Sequence, residues 1–427
     1  MNPVALRAAE ARRAARALAA VDGATRDRAL LAIARSLDEQ GPQIEEANIR
    51  DLEEGARNDL APPLVKRLRF DTEKRSESAR GVRSVAALAD PVGTVLEKRE
   101  LDTGLILSRV STPIGVIGMI FESRPDALVQ IAALALKSGN AVVLKGGSEA
   151  RESNRVLFQL IRDASLAEGI PEGWIQLIET REDVRNLLAL DREIDLLIPR
   201  GSNEFVRYIM DNTRIPVMGH ADGICHVYVH ADADPGMVGP IVVDSKTQYV
   251  AVCNAAETLL IHREAAAGIL PDLVRDLQKN GVEVRGCQTT CRIVPSAAAA
   301  TDEDWSTEYL DYIISVRVVD SLEQAVEHIN RYGSGHTDAI LTASSESAQQ
   351  FIRSVDSASV MWNASTRFAD GFRYGLGAEV GISTSRIHAR GPVGVAGLLS
   401  YKWILAGNGQ VVADYGPGGR TFTHREL

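Results

Sequence analysis

GVIGMIFESRPDALVQIAALALKSGNAVVLK, residues 115–145, decides the fold of this chain. Its first seven residues are an apolar run of strand length. Pro125 then stands where helices begin, ALVQIAALALK continues as a helix, and Ser138-Gly139-Asn140 stops it. AVVLK (141–145) is a second strand, so the stretch reads as strand, helix, strand. The rhythm continues downstream. A helix is expected over about 148–168, WIQLI (174–178) is a third strand, IDLLIP (194–199) a fourth, and a further helix starts from Ser202. Short apolar strands alternating with helices predict right-handed βαβ units and a parallel sheet covered on both faces. Such a sheet binds ligands beyond the carboxyl ends of its strands.

Upstream, the first 90 or so residues read as helices, with Leu30, Ile33, Ala34 and Leu37 marking one face. Residues 95–112 are β-prone and broken at Asp102-Thr103-Gly104, a hairpin turn. After residue 225 a second α/β unit is expected from HVYVH, ETLLIH, ISVRVVD and the helical SLEQAVEHIN. The tail YKWILAGNGQVVADY places Asn408-Gly409 between two β-prone runs, which predicts a second hairpin. Two hairpins outside the α/β rhythm are edges to be paired with another copy.

The chain has 427 residues, 45% hydrophobic and 24% charged, enough for two or three domains with substantial cores. A net charge of −10 with no concentrated basic segment argues against nucleic acid. No apolar run reaches the roughly 18 residues of a membrane helix, and the Arg- and Ala-rich N-terminus reads as an amphipathic surface helix. Four cysteines, at 225, 253, 287 and 291, make no disulfide framework, and Cys287 and Cys291 match no zinc spacing. A soluble, cytoplasmic protein without a metal is expected.

The G-x-G-x-x-G fingerprint is missing. In its place stand Lys145-Gly146-Gly147-Ser148-Glu149 after the second strand and Pro199-Arg200-Gly201-Ser202-Asn203 after the fourth. Each puts Gly and Ser at a helix N-terminus, which either favours phosphate or merely caps the helix. Two such sites on one sheet edge point to a nucleotide. Cys253, between apolar stretches, reads equally as a nucleophile or a buried structural thiol. Cys225 lies in a strand-like run and reads as core.

VCNAAETLLIH around Cys253 resembles the active-cysteine motif of the γ-glutamyl phosphate reductases, members of the aldehyde dehydrogenase superfamily. So do residues 115–150, IPRGSN (198–203), HADGICHVYV (220–229) and GAEVGISTSRIHARGPVG (377–394), in the family's order. The resemblance implies an aldehyde dehydrogenase-like α/β fold with a Rossmann-like cofactor domain (1–94 and 115–224). An α/β catalytic domain (225–396) and oligomerisation hairpins (95–114 and 397–427) complete it. It implies Cys253 as nucleophile, with Asn254 stabilising the thioester oxygen through backbone or side chain. NADPH would lie with its adenosine ribose near Lys145, Gly146, Ser148 and Glu149. Its pyrophosphate would lie at Gly201 and Ser202, and its nicotinamide ribose at Glu308.

The implied reaction is reduction of γ-glutamyl phosphate to glutamate semialdehyde, with NADP as product. An acylating dehydrogenase that uses coenzyme A is the rival. Arg124, Arg386, His388 and Arg390 are the candidates for the substrate's carboxylate and phosphate, since a guanidinium fork matches both. Asp126 replaces a more usual Asn and, when ionised, cannot donate to an oxyanion. Hydrolytic relatives carry Glu-Leu-Gly-Gly where this chain has His220-Ala221-Asp222-Gly223, so a water-activating carboxylate is absent. A homo-oligomer and a transient glutamate 5-kinase partner are expected.

Overall fold

The computed structural model describes residues 2–122, 124–219 and 222–427. Five helices open the chain: α1 (Pro3–Leu18), α2 (Gly23–Glu39), α3 (Gly41–Arg57), α4 (Pro62–Leu68) and α5 (Thr72–Ala86). The apolar face expected on α2 is buried, and Leu30, Ala34 and Leu37 are wholly inaccessible. An antiparallel hairpin follows, β1 (Val95–Asp102) and β2 (Leu105–Pro113). Its turn falls at Thr103-Gly104, where Gly104 takes φ 72°.

The opening stretch of the sequence then builds β3 (Val116–Ile120), α6 (Pro125–Lys137) and β4 (Ala141–Lys145). The helix is apolar almost all round because it is sandwiched: residues 127–137 are buried without exception but for the half-buried Gln130. Gly139 ends it at φ 73°, with Pro113 Cγ only 2.9 Å from where a Cβ would sit. Asn140 then closes the turn, accepting from Gly115 N–H at 2.8 Å and donating to Leu398 O at 2.7 Å. After α7 (Arg151–Ala167), β5 (Ile175–Ile178), α8 (Arg181–Leu187), β6 (Leu196–Pro199) and α9 (Asn203–Asp211) complete a parallel sheet of order β5-β4-β3-β6. The four strands read from the sequence all form.

The second unit begins with β7 (Cys225–Val229), α10 (Pro235–Thr247), β8 (Ala256–His262) and α11 (Arg263–Lys279). It continues through β9 (Glu283–Gly286), α12 (Gln288–Ile293), β10 (Ala298–Ala299), β11 (Ile313–Val319), α13 (Leu322–Tyr332), β12 (Thr337–Leu341), α14 (Ser345–Ser354) and β13 (Ser359–Trp362). These strands form one parallel sheet of order β10-β9-β11-β8-β7-β12-β13. Its core is separate from the first, built on Val227, Leu259, Ile261, Leu270 and Val316.

The tail departs from expectation. After the short pair β14 (Ile382–Ser383) and β15 (Gly391–Pro392), β16 (Leu399–Ala406) does not fold back at Asn408-Gly409. Residues 412–414 form a short 3-10 turn instead of a returning strand. Strand β16 pairs antiparallel with β2 along its whole length, and β17 (Arg425–Glu426) pairs with β1. The two distant segments thus share one sheet, β16-β2-β1-β17, and a long-range ladder replaces the local hairpin. No helix is long and apolar enough to cross a membrane among the described residues.

Candidate active site

The site lies where the two parallel sheets meet, and they present opposite edges to it. Lys145 and Arg200 follow β4 and β6, so the small sheet contributes its carboxyl edge. Cys253 precedes β8, Gly223 precedes β7 and Glu308 precedes β11, so the large sheet contributes its amino edge. Asn203, first residue of α9, ties them together: its Nδ2 donates to Glu308 Oε2 at 2.8 Å and to Asp222 Oδ1 at 2.9 Å. Arg207 on the same helix also pairs with Asp222.

A cleft of about 820 Å³ opens at the carboxyl edge and is lined by Lys145, Gly146, Gly147, Ser148 and Glu149 together with Arg181. Backbone must pass close here. A Cβ on Gly147 would lie 1.9 Å from the Glu149 carboxylate, and one on Gly146 would lie 2.1 Å from Asn154 Nδ2. Burial lowers the pKa of Lys145, against the opposing pull of Glu149 and Glu122.

At the N-terminus of α7 two donors are already taken, because the buried Asp51 carboxylate accepts from Glu152 N–H at 3.0 Å and from Ser153 N–H at 2.8 Å. A second anion there would meet a carboxylate. The N-terminus of α9 is capped only by Ser202, whose Oγ accepts from Phe205 N–H at 3.4 Å. Of the two helix ends, the one at Gly201-Ser202 is therefore the less occupied, and a nicotinamide cofactor fits the donors along this edge.

Cys253 is half-buried in the turn before β8. Gly223 lies directly on it: a Cβ at 223 would sit 2.3 Å from Cys253 O and 2.6 Å from Cys253 Cβ. From beneath, Cys225 Sγ donates to Cys253 O at 3.1 Å. Burial pushes the Cys225 thiol well above its ordinary pKa, so it stays protonated, as befits the core residue read from the sequence. The Asn254 side chain is turned away, donating from Nδ2 to Ala369 O at 2.8 Å. What Asn254 leaves towards the site is its backbone N–H. Neither that group nor the Cys253 N–H has a protein acceptor among the described residues.

Two cations that the sequence reading did not assign lie in segments tied to the cysteine turn: Arg200, three residues before Asn203, and Arg367, two residues before the Ala369 carbonyl that Asn254 binds. Arg200 and Arg367 both feel the electrostatic pull of Cys253. Burial lowers the pKa of each, and neighbouring Arg124 adds to the effect on Arg200. Lys246, close to Cys253 in sequence, is instead sealed in an ion pair with Glu257 at 2.5 Å, and burial pushes Glu257 up to about 7.

The four substrate-binding candidates separate. Arg124 stays at the site, pairing with Asp126 at 2.8 Å, which gives that carboxylate a positioning role. Arg386 and Arg390 both engage Asp356, in another cleft of about 450 Å³ shared with Asn330 and Ser334. His388 Nε2 donates to Leu399 O at 2.8 Å, fastening its segment to the start of β16. Among the described residues none of these three shares a hydrogen bond or ion pair with Cys253 or Arg124, and the cleft of Arg386 and Arg390 adjoins the Gly223 segment through Ser334, whose Oγ accepts from Ile224 N–H at 2.9 Å. His220 lies outside the described residues.

Comparison with known proteins agrees with this geometry. The sequence model of the aldehyde dehydrogenase family matches residues 3–303. A γ-glutamyl phosphate reductase of Acetivibrio thermocellus is 60% identical over 410 residues, covering 96% of this chain and 95% of that protein. The crystal structure of the Thermotoga maritima γ-glutamyl phosphate reductase superposes with TM-score 0.94 at 41% identity, over 96% of this chain and 100% of that one. The chain belongs to the γ-glutamyl phosphate reductase family. An engineered glycolyl-CoA reductase with bound NADP+ shares the fold at TM-score 0.66 and 16% identity, over 94% of this chain and 96% of its own. The motifs fall around one site here: Asn203 of the IPRGSN loop binds Asp222 and Glu308, and Gly223, next to Asp222, lies against the cysteine turn.

Proposed function

We infer that this chain reduces L-γ-glutamyl 5-phosphate to L-glutamate 5-semialdehyde with release of phosphate, the second step of proline synthesis from glutamate. The observation that carries the reading is Cys253, held between Gly223 and Cys225, with backbone N–H groups beside it that have no protein acceptor among the described residues. Its Sγ attacks the acyl carbon, the C–O bond to phosphate breaks, and phosphate leaves with the electron pair and takes a proton from water. The developing oxyanion faces the backbone N–H groups of Cys253 and Asn254. NADPH, when bound, supplies the hydride that reduces the thioester. The C–S bond then breaks, releasing the aldehyde and returning the thiolate. Through Asn203, Glu308 and the α9 N-terminus are fixed relative to Cys253, which aligns the reacting centres.

We read the dinucleotide as NADP(H). Arg181 and Arg185 stand exposed on the cleft wall with no ion-pair partner among the described residues, and supply charge for a 2′-phosphate. On this reading residues 1–94 and 115–224 hold the cofactor and 225–396 carry the thiol. Residues 95–114 and 397–427 meet a second copy: β16 is an edge strand with Tyr401 and Trp403 each 50% exposed. Four free thiols suit a reducing cytoplasm, and a separate glutamate 5-kinase is the expected source of the acyl phosphate.

The test runs the reaction backwards with glutamate semialdehyde and NADP+, following NADPH with and without phosphate. Phosphate-dependent reduction of NADP+ that vanishes in Cys253→Ala is the expected result. Turnover indifferent to phosphate would refute the reading, and turnover driven by coenzyme A would replace it with an acylating dehydrogenase.

A further inference from the structure

Among the described residues the enclosed cations are paired, apart from two arginines. Arg26 meets Asp90 at 2.8 Å, Lys137 meets Asp27 at 2.6 Å and Lys246 meets Glu257 at 2.5 Å. Arg367 is just as enclosed, at 8% exposure, yet no carboxylate lies within 4.0 Å of it among the described residues. Its Nε donates to Gln248 Oε1 at 2.9 Å, and its terminal nitrogens donate to no described residue. Arg200 repeats the pattern from the other sheet. It has no ion-pair partner among the described residues, and its buried Nη1 has no hydrogen-bond acceptor among them. Of the nearby carboxylates, Asp126 holds Arg124 at 2.8 Å, and Glu379 attracts Arg200 without an ion-pair contact while its Oε2 accepts from Gly371 N–H at 2.9 Å.

A desolvated, unpaired guanidinium is strongly unfavourable in a folded protein. Two of them, one after β6 and one after β13, stand in segments tied to the cysteine turn. Asn203, three residues after Arg200, donates to Asp222 beside Gly223, and Ala369, two residues after Arg367, accepts from Asn254 Nδ2 at 2.8 Å. A thiolate presents one atom and one charge, so it cannot satisfy two planar donor forks. A tetrahedral dianion with three free oxygens can, and it can bridge the two sheets while doing so. Resting on the acyl-phosphate reading above, we propose that Arg200 and Arg367 form the phosphate clamp of this site. They grip the phosphoryl group while Cys253 attacks, and receive inorganic phosphate when the reaction runs in reverse. Arg386 and Arg390, already bound to Asp356, take no part in it.

The clamp is tested first without turnover. The intact protein is treated with iodoacetamide, a neutral reagent, and alkylation of Cys253 is followed by peptide mass spectrometry across a titration of inorganic phosphate. Phosphate should protect Cys253 saturably in the wild type. Arg200→Gln and Arg367→Gln should each weaken protection at least tenfold, with Arg200→Lys and Arg367→Lys retaining part of it. In the reverse reaction the lysine variants should raise the KM for phosphate severalfold and leave the KM for NADP+ within twofold. Wild-type protection that persists unchanged in both glutamine variants, or no protection at all, would overturn the clamp. If the acyl-phosphate reading were the part at fault, the wild type would bind phosphate at Cys253 and yet reduce NADP+ without requiring it.

Discussion

Replacing Gly223 with alanine adds one carbon at the place where the chain lies on its own nucleophile. The new Cβ would stand 2.3 Å from Cys253 O, 2.5 Å from Cys253 Cα and 2.6 Å from Cys253 Cβ, against 3.4–4 Å for ordinary contact. All three obstacles belong to the nucleophile's own residue, and two are backbone atoms, so no flexible side-chain end can swing aside. Relief needs a displacement of roughly 1 Å, shared between the 222–224 segment and the Cys253 turn. Overpacking of this kind costs about 1–3 kcal/mol of stability, whereas about 1 Å of misplacement at a reacting centre costs on the order of 100-fold in rate. The expected signature of Gly223→Ala is therefore a kcat lowered about 100-fold in a protein that still melts cooperatively and binds NADPH as the wild type does. Gly268 supplies the control. It lies in α11 with nothing within 4 Å of an added Cβ and no proline next to it, and Gly268→Ala should leave kcat unchanged while raising stability by roughly 0.5–1 kcal/mol. A Gly223→Ala enzyme with wild-type kcat would refute the claim that this segment positions the sulfur.

His328 is 4% exposed and accepts from Arg317 at 3.0 Å, and burial, with His226 and Arg317 adding like charge, depresses its pKa from 6.5 to about 3. The unfolded chain takes up this proton below pH 6.5 and the folded chain does not, so the stability is present above 6.5 and is lost as pH falls towards 3. By pH 5 the loss is about 2 kcal/mol relative to pH 8; urea denaturation of His328→Asn should show a shallower acid limb by that amount, and an unchanged limb would be contrary. Asn203→Ala removes the donor shared by Glu308 and Asp222 and should lower kcat/KM for NADPH by about 10- to 100-fold, since hydrogen bonds to charged groups contribute about 1.5–3 kcal/mol. Arg181→Gln with Arg185→Gln should raise the KM for NADPH and leave that for NADH alone; equal effects on both would remove the 2′-phosphate role. Trp403→Lys with Ile404→Lys places charge on the exposed edge strand β16 and should shift the mass measured by light scattering to that of a single chain.

Periodicity made the small sheet legible because each of its strands is a short, wholly apolar run between helix signals. It did not reveal the partner of β16, since Asn408-Gly409 carries a local hairpin signal and the actual ladder joins residues almost 300 positions apart. The same difference governs the site. Lys145 and Glu149 could be read because they sit in a loop beside a strand end, and Arg200 occupies an equivalent place after β6 and could have been read likewise. Arg367 could not: Ser365-Thr366-Arg367-Phe368 carries no chemical pattern, and only the fold ties its segment to the cysteine turn, through the Ala369 carbonyl that Asn254 binds. The α7 N-terminus is the opposite case. Its Gly-Ser approach resembles a phosphate site, but Asp51, a hundred residues earlier, already takes two of the donors.

The opposed edges of the two sheets explain why so much of the chemistry is split across the chain. A single doubly wound sheet gathers ligands at its carboxyl edge. Here the large sheet turns its amino edge to the small sheet's carboxyl edge, so cofactor loops follow strands while the nucleophile and Glu308 precede them. Any group held at the seam must then draw donors from both units. Asn203 already does so, crossing from α9 to Glu308 and Asp222. Arg200 and Arg367 come from the two units that border this seam, and neither has an ion-pair partner among the described residues. A bound dianion would supply the missing partner and draw the units together, so phosphate should slow hydrogen exchange in the 200–207 and 365–373 segments of the wild type. The same addition to Arg367→Gln should leave those segments unprotected, and equal protection in both proteins would mean that the two sheets close without the clamp.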